Sequence, residues 1–368
     1  MSDAPPARDK RGSRTGFTTG ACAAAAAKAA TRVLVRGERL TQVETTLPNR
    51  QQVTFALHRC EWDGEKVRCG IIKDAGDDPD CTHGAELIAE VRLTDDGQVV
   101  LERGEGVGLV TKDGLGLEVG SPAINPVPRR NITEMVQEEL PEGRGAIVTI
   151  HVPRGEEMAK ETLNARLGII GGISILGTSG IVRPYSTAAY KASVVQAIDV
   201  ARARGNTELV FTTGGKSEKY AMGLLPHLPE ECFIQVGDFI GVAIRHAARR
   251  QATRVDVVGM MGKLSKMADG RMQTHAAGSE VNMELLANLA AEAGASEKLV
   301  ADIRAANTAR HVLELCAASG LTHITGLVCQ RVVEQLTRHA GGPLELHATL
   351  VDFNGTLLGQ YPERRHAA

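Results

Sequence analysis

Length, composition and charge exclude several classes of protein. At 368 residues, of which 43% are hydrophobic and 23% charged, the chain is long enough for two globular domains. Its formal net charge of −2 gives no overall attraction to nucleic acid or to an anionic membrane surface. One Trp, four Tyr and six Phe provide few stacking platforms for single-stranded nucleic acid. We therefore expect no nucleic-acid partner and no membrane partner.

The cysteines and the N-terminal residues indicate a reduced, cytoplasmic protein. The seven cysteines include no CxxC pair and are odd in number, which favours neither a zinc ribbon nor a disulfide framework. Residues 1–13 are rich in proline and charge, lack the apolar core of a signal peptide, and are interpreted as a disordered leader. No apolar run approaches the length that spans a bilayer. The sequence does not determine the oligomeric state, and a homo-oligomer stays open.

The segment 14–155 is predicted to form an α+β domain, with a sheet and helices in two layers. Thr18 and Thr19 precede an alanine run, and a threonine hydroxyl can accept the unpaired N–H groups of a helix's first turn. From about residue 39 to residue 150, short alternating apolar runs are separated by turn residues. This pattern predicts an antiparallel or mixed sheet with a few helices.

The segment 156–265 is predicted to form a Rossmann-like α/β cofactor domain, because short apolar strands alternate with longer helices. The predicted strands are 172–176, 208–212, 233–236 and 254–258, with helices at 157–164, 186–204, 217–225 and 239–250. The segment 266–368 is predicted to be a helical region ending in a hairpin, both packing on the preceding domains. Its helical patterns are 280–293, 297–306, 309–318 and 324–339. The hairpin pattern around Asn354-Gly355 fits either sheet.

Glycines follow each predicted strand of the second domain. In open α/β sheets, ligands bind beyond the carboxyl ends of the strands, where loops converge and glycine permits close backbone approach. A neighbouring helix N-terminus adds N–H donors. The pattern favours a nucleotide-like ligand over tight turns alone. The predicted cofactor-binding residues are Gly172, Gly177, Thr178, Gly180, Gly214, Gly215 and Asp238.

The type of nucleotide is narrowed by what these loops lack. Gly177-x-x-Gly180 is not the full G-x-G-x-x-G fingerprint, and Thr212-Thr213 offers no acid for the ribose of NAD. Gly215-Lys216-Ser217 is similar to the end of a P-loop, but Val210 occupies the required upstream glycine position. Both a nicotinamide cofactor and ATP hydrolysis are therefore disfavoured.

A turn-rich stretch, 73–84, concentrates ionisable residues in the first domain. It contains Lys73, four aspartates and His83. Asp74 and His83 are the predicted catalytic residues, with acid–base or ligand-contact roles. The alternative is an acidic turn whose aspartates cap backbone N–H groups. The calcium-loop pattern fails because its distal Glu is missing, and we expect no protein-bound metal.

Three segments offer partners for an anionic ligand. The start of the first helix attracts negative charge, although simple capping is the alternative. The Pro-rich segment 122–130 is interpreted as an extended connection and ends in two arginines that could clamp a carboxylate. The stretch 263–275 is cationic and follows a predicted strand, although a solvated face is the alternative. The predicted substrate-binding residues are Thr15, Thr18, Thr19, Gly20, Arg129, Lys263 and His275.

Several of these segments together resemble the CbiD family, cobalt-precorrin-5B C-1 methyltransferases of the anaerobic cobalamin pathway. They are residues 14–25, 73–80, 122–129, 172–182 and 214–216. The resemblance extends over roughly residues 14–360. It implies S-adenosyl-L-methionine as methyl donor, S-adenosyl-L-homocysteine as product, and conversion of cobalt-precorrin-5B, a carboxylate-rich cobalt tetrapyrrole, to cobalt-precorrin-6A. The cobalt travels with the substrate, so the resemblance implies no metal held by the protein.

The implied reaction is displacement at a sulfonium methyl by a ring carbon, which needs alignment more than acid–base power. In that setting, Asp74 or His83 would remove a proton or hold positive charge, and the start of the first helix would hold an acetate or propionate. Two other classes stay open. A nicotinamide-dependent oxidoreductase acting on a corrinoid intermediate would prefer NADPH to S-adenosylhomocysteine, and a non-enzymatic corrinoid carrier would show no methyl transfer.

Overall fold

The computed structural model describes residues 14–275 and 279–363, so the predicted leader at 1–13 lies outside the described residues. The chain divides into two compact units, Met1–Thr187 and Ala188–Ala368, and each contains sheets and helices. The protein is therefore of mixed α/β type. The sequence pattern changes after residue 155, whereas the contacts divide the chain after Thr187. Residues 156–187 belong to the first unit because their short strands pair with strands of that unit.

The first unit is built around an antiparallel-rich sheet. Its strands are β1 (Gly16–Phe17), β2 (Gln42–Thr46), β3 (Gln52–Ala56), β4 (Arg59–Trp62), β5 (Lys66–Ile72), β6 (Glu86–Thr94), β7 (Val99–Arg103), β8 (Leu109–Val110), β9 (Gly145–His151), β10 (Ile169–Ile170) and β11 (Ile181–Val182). Its helices are α1 (Thr19–Arg36), α2 (Pro126–Gln137) and α3 (Gly155–Ala159). The main sheet has the order β4-β5-β6-β9-β7, in which only β7 and β9 are parallel.

Helix α1 is the centre of the first unit's core, as the alanine run predicts. Alanine has the highest helix propensity, and its small side chain allows close approach of the helix to β5, β6 and α2. Every residue from 21 to 30 is buried. Thr18 caps the start by accepting the Ala21 N–H at 3.2 Å, and Gly37 ends the helix at φ 73°.

Three predictions for this unit differ from the structure. Segment 122–130 is not an extended connection throughout, because α2 begins at Pro126, where a first-turn proline lacks only an N–H that would have no helical partner. Segment 172–176 is not a strand of a parallel sheet. Ile173 and Ile175 make only isolated bridges, to Val107 and Ile124 of the same unit. The helix predicted at 157–164 is shorter and earlier, since α3 covers Gly155–Ala159.

The second unit alternates strands and helices as predicted. Its strands are β12 (Glu208–Thr212), β13 (Phe233–Gln235), β14 (Arg254–Gly259), β15 (Glu345–Val351) and β16 (Leu357–Tyr361). Its helices are α4 (Thr187–Ala203), α5 (Gly215–Leu224), α6 (Ile240–Arg249), α7 (Met261–Ala268), α8 (Met283–Glu292), α9 (Glu297–Arg304), α10 (Ala309–Ala318) and α11 (Ile324–Ala340). A 3-10 turn, Glu230–Cys232, precedes β13.

The sheet of the second unit places several strand ends at one edge. Its order is β13-β12-β14-β15-β16, with parallel pairing from β13 to β15 and an antiparallel edge strand, β16. The C-terminal hairpin therefore joins this sheet. Buried side chains from α4, α6 and the helices α7–α11 form one core cluster with the sheet, so the C-terminal helices are part of the same unit. No helix among the described residues is both long and apolar enough to cross a membrane.

Candidate functional site

A cleft of about 1160 Å³ lies in the second unit, beyond the carboxyl ends of its parallel strands. Strands β12 and β14 run parallel with Thr212 beside Val258, so the loops that follow them emerge at the same edge. The walls come from the β12–α5 loop, the start of α7, the start of α10 and the β15–β16 loop. This is the position at which open α/β sheets bind ligands.

The β12–α5 loop places a glycine, which has no side chain, at the N-cap position of α5. Gly214 precedes the helix, and within the described part of the chain no side-chain hydrogen bond caps its N-terminus. A Cβ atom at Gly214 would meet no protein atom within 4 Å. Its φ of 165° is extended backbone that any residue can adopt. Neither contacts with other protein atoms nor the backbone conformation therefore requires glycine at this position, and a larger side chain would extend into the cleft.

A network of polar contacts fixes the cleft's floor. Lys263 of α7 donates to the Thr213 carbonyl at 2.8 Å and pairs with Asp238 at 3.1 Å. The Thr274 hydroxyl donates to the same carboxylate oxygen of Asp238 at 3.0 Å. The buried Lys266 ammonium donates to the Thr274 carbonyl at 3.1 Å. Asp238 is thus held by its Oδ1 atom and pairs with a cation, which neutralises its charge inside the cleft.

An aromatic hydroxyl lies beside this network. Tyr190 of α4 donates to the Gln235 carbonyl at 3.2 Å, at the end of β13. Burial raises the pKa of Tyr190, and the negative charges of Asp238 and Glu218 raise it further. The phenol therefore stays protonated at neutral pH and serves as a hydrogen-bond group. Gln235 in turn donates to Glu218 of α5 at 2.6 Å.

Comparisons with known proteins identify the family. The CbiD family model matches residues 6–184, and the model of the CbiD C-terminal domain matches residues 273–362. A protein of Leptospira interrogans named cobalt-precorrin-5B C(1)-methyltransferase is 57% identical over 349 residues, which are 94% of this chain and 95% of that protein. A Thermus thermophilus protein of the same name is 53% identical, over 98% of this chain and 97% of its own length. The chain belongs to the CbiD family.

One solved structure is also similar in sequence to this member of the CbiD family. The crystal structure of the cobalamin biosynthesis protein CbiD from Archaeoglobus fulgidus is 28% identical and covers 71% of this chain and 82% of its own. Its TM-score with the chain is 0.38.

Five of the residues predicted for ligand binding line the one cleft described above. They come from both predicted sets, cofactor and substrate: Gly214, Gly215, Asp238, Lys263 and His275. The sequence analysis did not predict helix α7, because the stretch from 262 to 279 is polar and contains glycine. The predicted binding residues also leave out Lys266 and Phe353, which line the cleft, and Tyr190, which donates to Gln235 beside it. For Lys266 there was a signal, since lysines three apart, at 263 and 266, share one face of a helix.

The other four predicted cofactor-binding residues do not lie at the strand ends of the second unit's sheet. Gly172, Gly177, Thr178 and Gly180 belong to the first unit, so the prediction that four loops follow strands of one sheet is wrong. Gly177 has a φ of 131°, and a Cβ atom there would lie 2.4 Å from the Thr18 hydroxyl oxygen. The close approach of α1 requires this glycine. A structural role thus accounts for Gly177 without a ligand.

The start of α1 has fewer N–H donors for an anion than predicted. The Gly20 N–H donates to the Leu176 carbonyl at 3.0 Å, and the Ala21 N–H donates to Thr18. The Thr19 hydroxyl accepts the Leu176 N–H at 2.9 Å. Thr18, Thr19 and Gly20 are also buried. The N–H groups of Gly20 and Ala21 are therefore not free to bind an anion, as the prediction assumed. Helix capping is a sufficient structural role for Thr18. Thr15 is exposed, and its role stays a prediction.

The loop 73–84 has the contacts of a self-capped acidic turn. Asp74 accepts the Gly76 N–H at 2.8 Å and pairs with the Arg14 guanidinium. The hydrogen bond from Arg14 and that from Gly76 lower the pKa of Asp74. His83 accepts the Ala75 N–H at its Nδ1 atom, so the neutral ring carries its proton on Nε2. In that tautomer the Nε2 atom of His83 is a hydrogen-bond donor, and removal of a proton by Asp74 or His83 stays a prediction.

The buried Lys73 is the strongest ionic feature of this loop. Its ammonium is 1% exposed and pairs with Asp80 at 2.6 Å. Burial would raise the pKa of Asp80, but hydrogen bonds from Lys73 and Thr82 outweigh burial and lower it. Arg129 lies partly buried on α2, and its predicted substrate contact stays a prediction. Among residues 14–275 and 279–363, no group of three or more His, Cys, Asp or Glu side chains could hold a metal ion.

The Asp80→Asn substitution is expected to destabilise the first unit by about 2 kcal/mol at pH 7, because a buried ammonium loses its counter-charge. The folded-state pKa of Asp80 lies below the ordinary value of 3.8. Its contribution is therefore complete above that value and is lost as the pH falls through the folded-state pKa. Urea unfolding from pH 7 down to pH 3 should show the difference between variant and wild type shrinking.

Asp78→Asn is the matched control, because Asp78 lies in the same loop and accepts the Tyr185 N–H through Oδ1, which asparagine retains. It should unfold within about 0.5 kcal/mol of wild type. A loss of stability that is the same for Asp80→Asn at every pH would contradict the ionic explanation.

Proposed function

We propose that this chain transfers the methyl group of S-adenosylmethionine to C-1 of cobalt-precorrin-5B, giving cobalt-precorrin-6A in anaerobic cobalamin biosynthesis. The identity of 57% over 94% of the chain to a cobalt-precorrin-5B C(1)-methyltransferase carries this proposal. The alternating parallel sheet and its strand-end cleft favour a Rossmann-like cofactor domain. A cytoplasmic location and a cobalt tetrapyrrole partner belong to the same proposal.

The cleft of the second unit suits the methyl donor. Its volume of about 1160 Å³ exceeds the roughly 300–1,000 Å³ of common ligand pockets, so it has room for a cofactor and part of a second ligand. The uncapped first turn of α5, after Gly214, offers N–H groups to a carboxylate. Asp238 offers carboxylate oxygen to an ammonium or a ribose hydroxyl. Apolar side chains, including Met260, Met261, Val281 and Leu313, line the rest.

The electrostatics of this cleft also suit a cationic methyl donor. S-adenosylmethionine supplies an electrophilic methyl group on a positively charged sulfur. Lys263 would repel that charge if it were unpaired, but it pairs with Asp238 at 3.1 Å and donates to the Thr213 carbonyl. The protein's part in the reaction is then to align two partners and exclude water, which accounts for large rate accelerations without acid–base chemistry.

Mass spectrometry tests the proposed activity directly. The full-length protein, incubated with cobalt-precorrin-5B and S-adenosylmethionine, should yield a product heavier by one methyl group together with S-adenosylhomocysteine. Titration calorimetry should show binding of S-adenosylhomocysteine and none of NADPH. Binding of NADPH without methyl transfer would favour the oxidoreductase alternative, and tetrapyrrole binding with no conversion would favour a carrier.

Asp74 and His83 enter this proposal as groups that hold charge or donate a hydrogen bond, not as a base. A general base contributes typically about 10²–10⁴-fold to a rate. We expect Asp74→Asn and His83→Ala to reduce single-turnover methyl transfer by less than about tenfold at saturating substrate, with the fold intact. A loss of about 100-fold or more in either variant would restore the acid–base role.

A further inference from the structure

An exposed aromatic ring at the cleft has two cations beside it. Phe353, in the loop between β15 and β16, is 54% exposed and contributes to the cleft wall. The Lys216 ammonium is 5.8 Å from the centre of its ring, and the Arg310 guanidinium carbon is 5.7 Å from it. Both distances are within the range of a cation–π interaction. These three side chains, from α5, α10 and the hairpin loop, form what we name the Phe353 subsite.

The loop that carries Phe353 is held in place by hydrogen bonds. Asp352 accepts the N–H groups of Asn354 and Thr356 through one carboxylate oxygen, each at 2.8 Å. The Tyr220 hydroxyl donates to the Phe353 carbonyl at 2.7 Å. The backbone on both sides of the ring is therefore fixed. This ordered loop places the ring of Phe353 in the wall of the cleft, together with the apolar side chains that line it.

The charges around the ring identify the ligand's chemistry. Lys216 is exposed and has no carboxylate partner among the residues that the structure describes. Arg310 is 72% exposed on its side chain and, within residues 14–275 and 279–363, forms an ion pair with Glu314 of its own helix at 2.9 Å. Two cations from different helices beside one aromatic face suit a flat, conjugated molecule that carries several carboxylates. Adenine is flat but carries no negative charge, so it would provide no anionic group to pair with Lys216 and Arg310.

We propose that the Phe353 subsite binds the tetrapyrrole acceptor, with the macrocycle against the ring of Phe353 and its acidic side chains paired with Lys216 and Arg310. This inference rests on the proposed function. It assigns recognition of the acceptor's carboxylates to the wall formed by α5, α10 and the hairpin loop. The same cleft then holds donor and acceptor side by side, which a methyl transfer requires.

Charge-removing variants test the subsite. We expect Lys216→Gln and Arg310→Gln each to raise KM for cobalt-precorrin-5B by roughly fivefold, as for exposed ion pairs of up to ~1 kcal/mol. The double variant should raise KM further than either single variant. We expect kcat at saturating acceptor and the Kd of S-adenosylhomocysteine to stay within twofold of wild type. KM in the double variant should also lose most of its dependence on salt.

Lys219→Gln is the matched control, since Lys219 is an exposed lysine of the same helix that does not line the cleft. It should leave KM unchanged. Phe353→Leu keeps an apolar side chain in the loop and should raise KM without changing the melting temperature. An unchanged KM in a folded Lys216→Gln/Arg310→Gln variant that still transfers methyl groups overturns the subsite but not the proposed function.

Two further experimental outcomes would also overturn the inference. A weaker Kd for S-adenosylhomocysteine with an unchanged KM for the acceptor would assign the ring to the methyl donor and overturn the inference. Wild-type protein that transfers no methyl group would remove the proposed function, and the subsite with it.

Discussion

Gly214→Val is expected to weaken S-adenosylhomocysteine binding by roughly 10- to 100-fold without unfolding the protein. A Cβ atom at Gly214 meets no protein atom within 4 Å, and its φ of 165° is accessible to valine. The branched side chain would instead enter the cleft beside the first turn of α5. When S-adenosylhomocysteine occupies that space, the added methyl groups should cost about 1–3 kcal/mol of binding free energy, which is of the size of a 10- to 100-fold loss of affinity. Titration calorimetry with the full-length protein measures it.

Gly223→Val controls for the cost of a β-branched residue near α5. Gly223 lies in the same helix, is exposed, has open space around its Cβ position and does not line the cleft. Its variant should bind S-adenosylhomocysteine as wild type does, although valine changes helix propensity by less than about 1 kcal/mol. Unchanged affinity in a folded Gly214→Val variant would place the methyl donor elsewhere.

Gly177→Ala is expected to destabilise the first unit by about 3 kcal/mol. The φ of 131° at Gly177 disfavours any side chain, and the added Cβ would lie 2.4–2.6 Å from three side-chain atoms of Thr18. Thr18 caps α1 and is buried, so it has little room to move. Denaturant unfolding of wild type and variant, followed by circular dichroism, gives the difference in free energy of unfolding.

Gly116→Ala separates backbone strain from steric conflict. Gly116 also has a positive φ, of 69°, but its Cβ position is open. Its variant should cost only the strain, about 1 kcal/mol. This pair also decides the role of Gly177. If Gly177→Ala kept wild-type stability and lost affinity for S-adenosylhomocysteine, the original assignment of Gly177 to the cofactor would replace the structural one.

Local patterns in the sequence predicted much of the second unit. The strand predicted at 208–212 and the helix predicted at 309–318 have the bounds that the structure shows, and the family resemblance is confirmed by the matching relatives. These features depend on the period of apolar residues, on capping residues and on motifs, all of which act within a few residues along the chain. The glycine that follows β12 was recognised for the same reason.

Long-range packing decided what those patterns leave open. An apolar run such as 172–176 does not encode which neighbours its backbone will bond to, and in the structure it pairs with Val107 and Ile124 of the first unit. The hairpin at the C-terminus fits any sheet with an open edge, and the parallel pairing of β15 with β14 places it in the second unit.

The sequence by itself therefore determined the family, the alternating pattern of the second unit and the glycines at the ends of its strands. Only the tertiary structure decided which of the predicted ligand-binding residues share a cleft, as Gly214, Asp238 and Lys263 do and Gly177 does not. The physical reason is that a binding site is made by segments far apart in the chain. Their proximity depends on strand order and on core packing, which no local pattern of residues specifies.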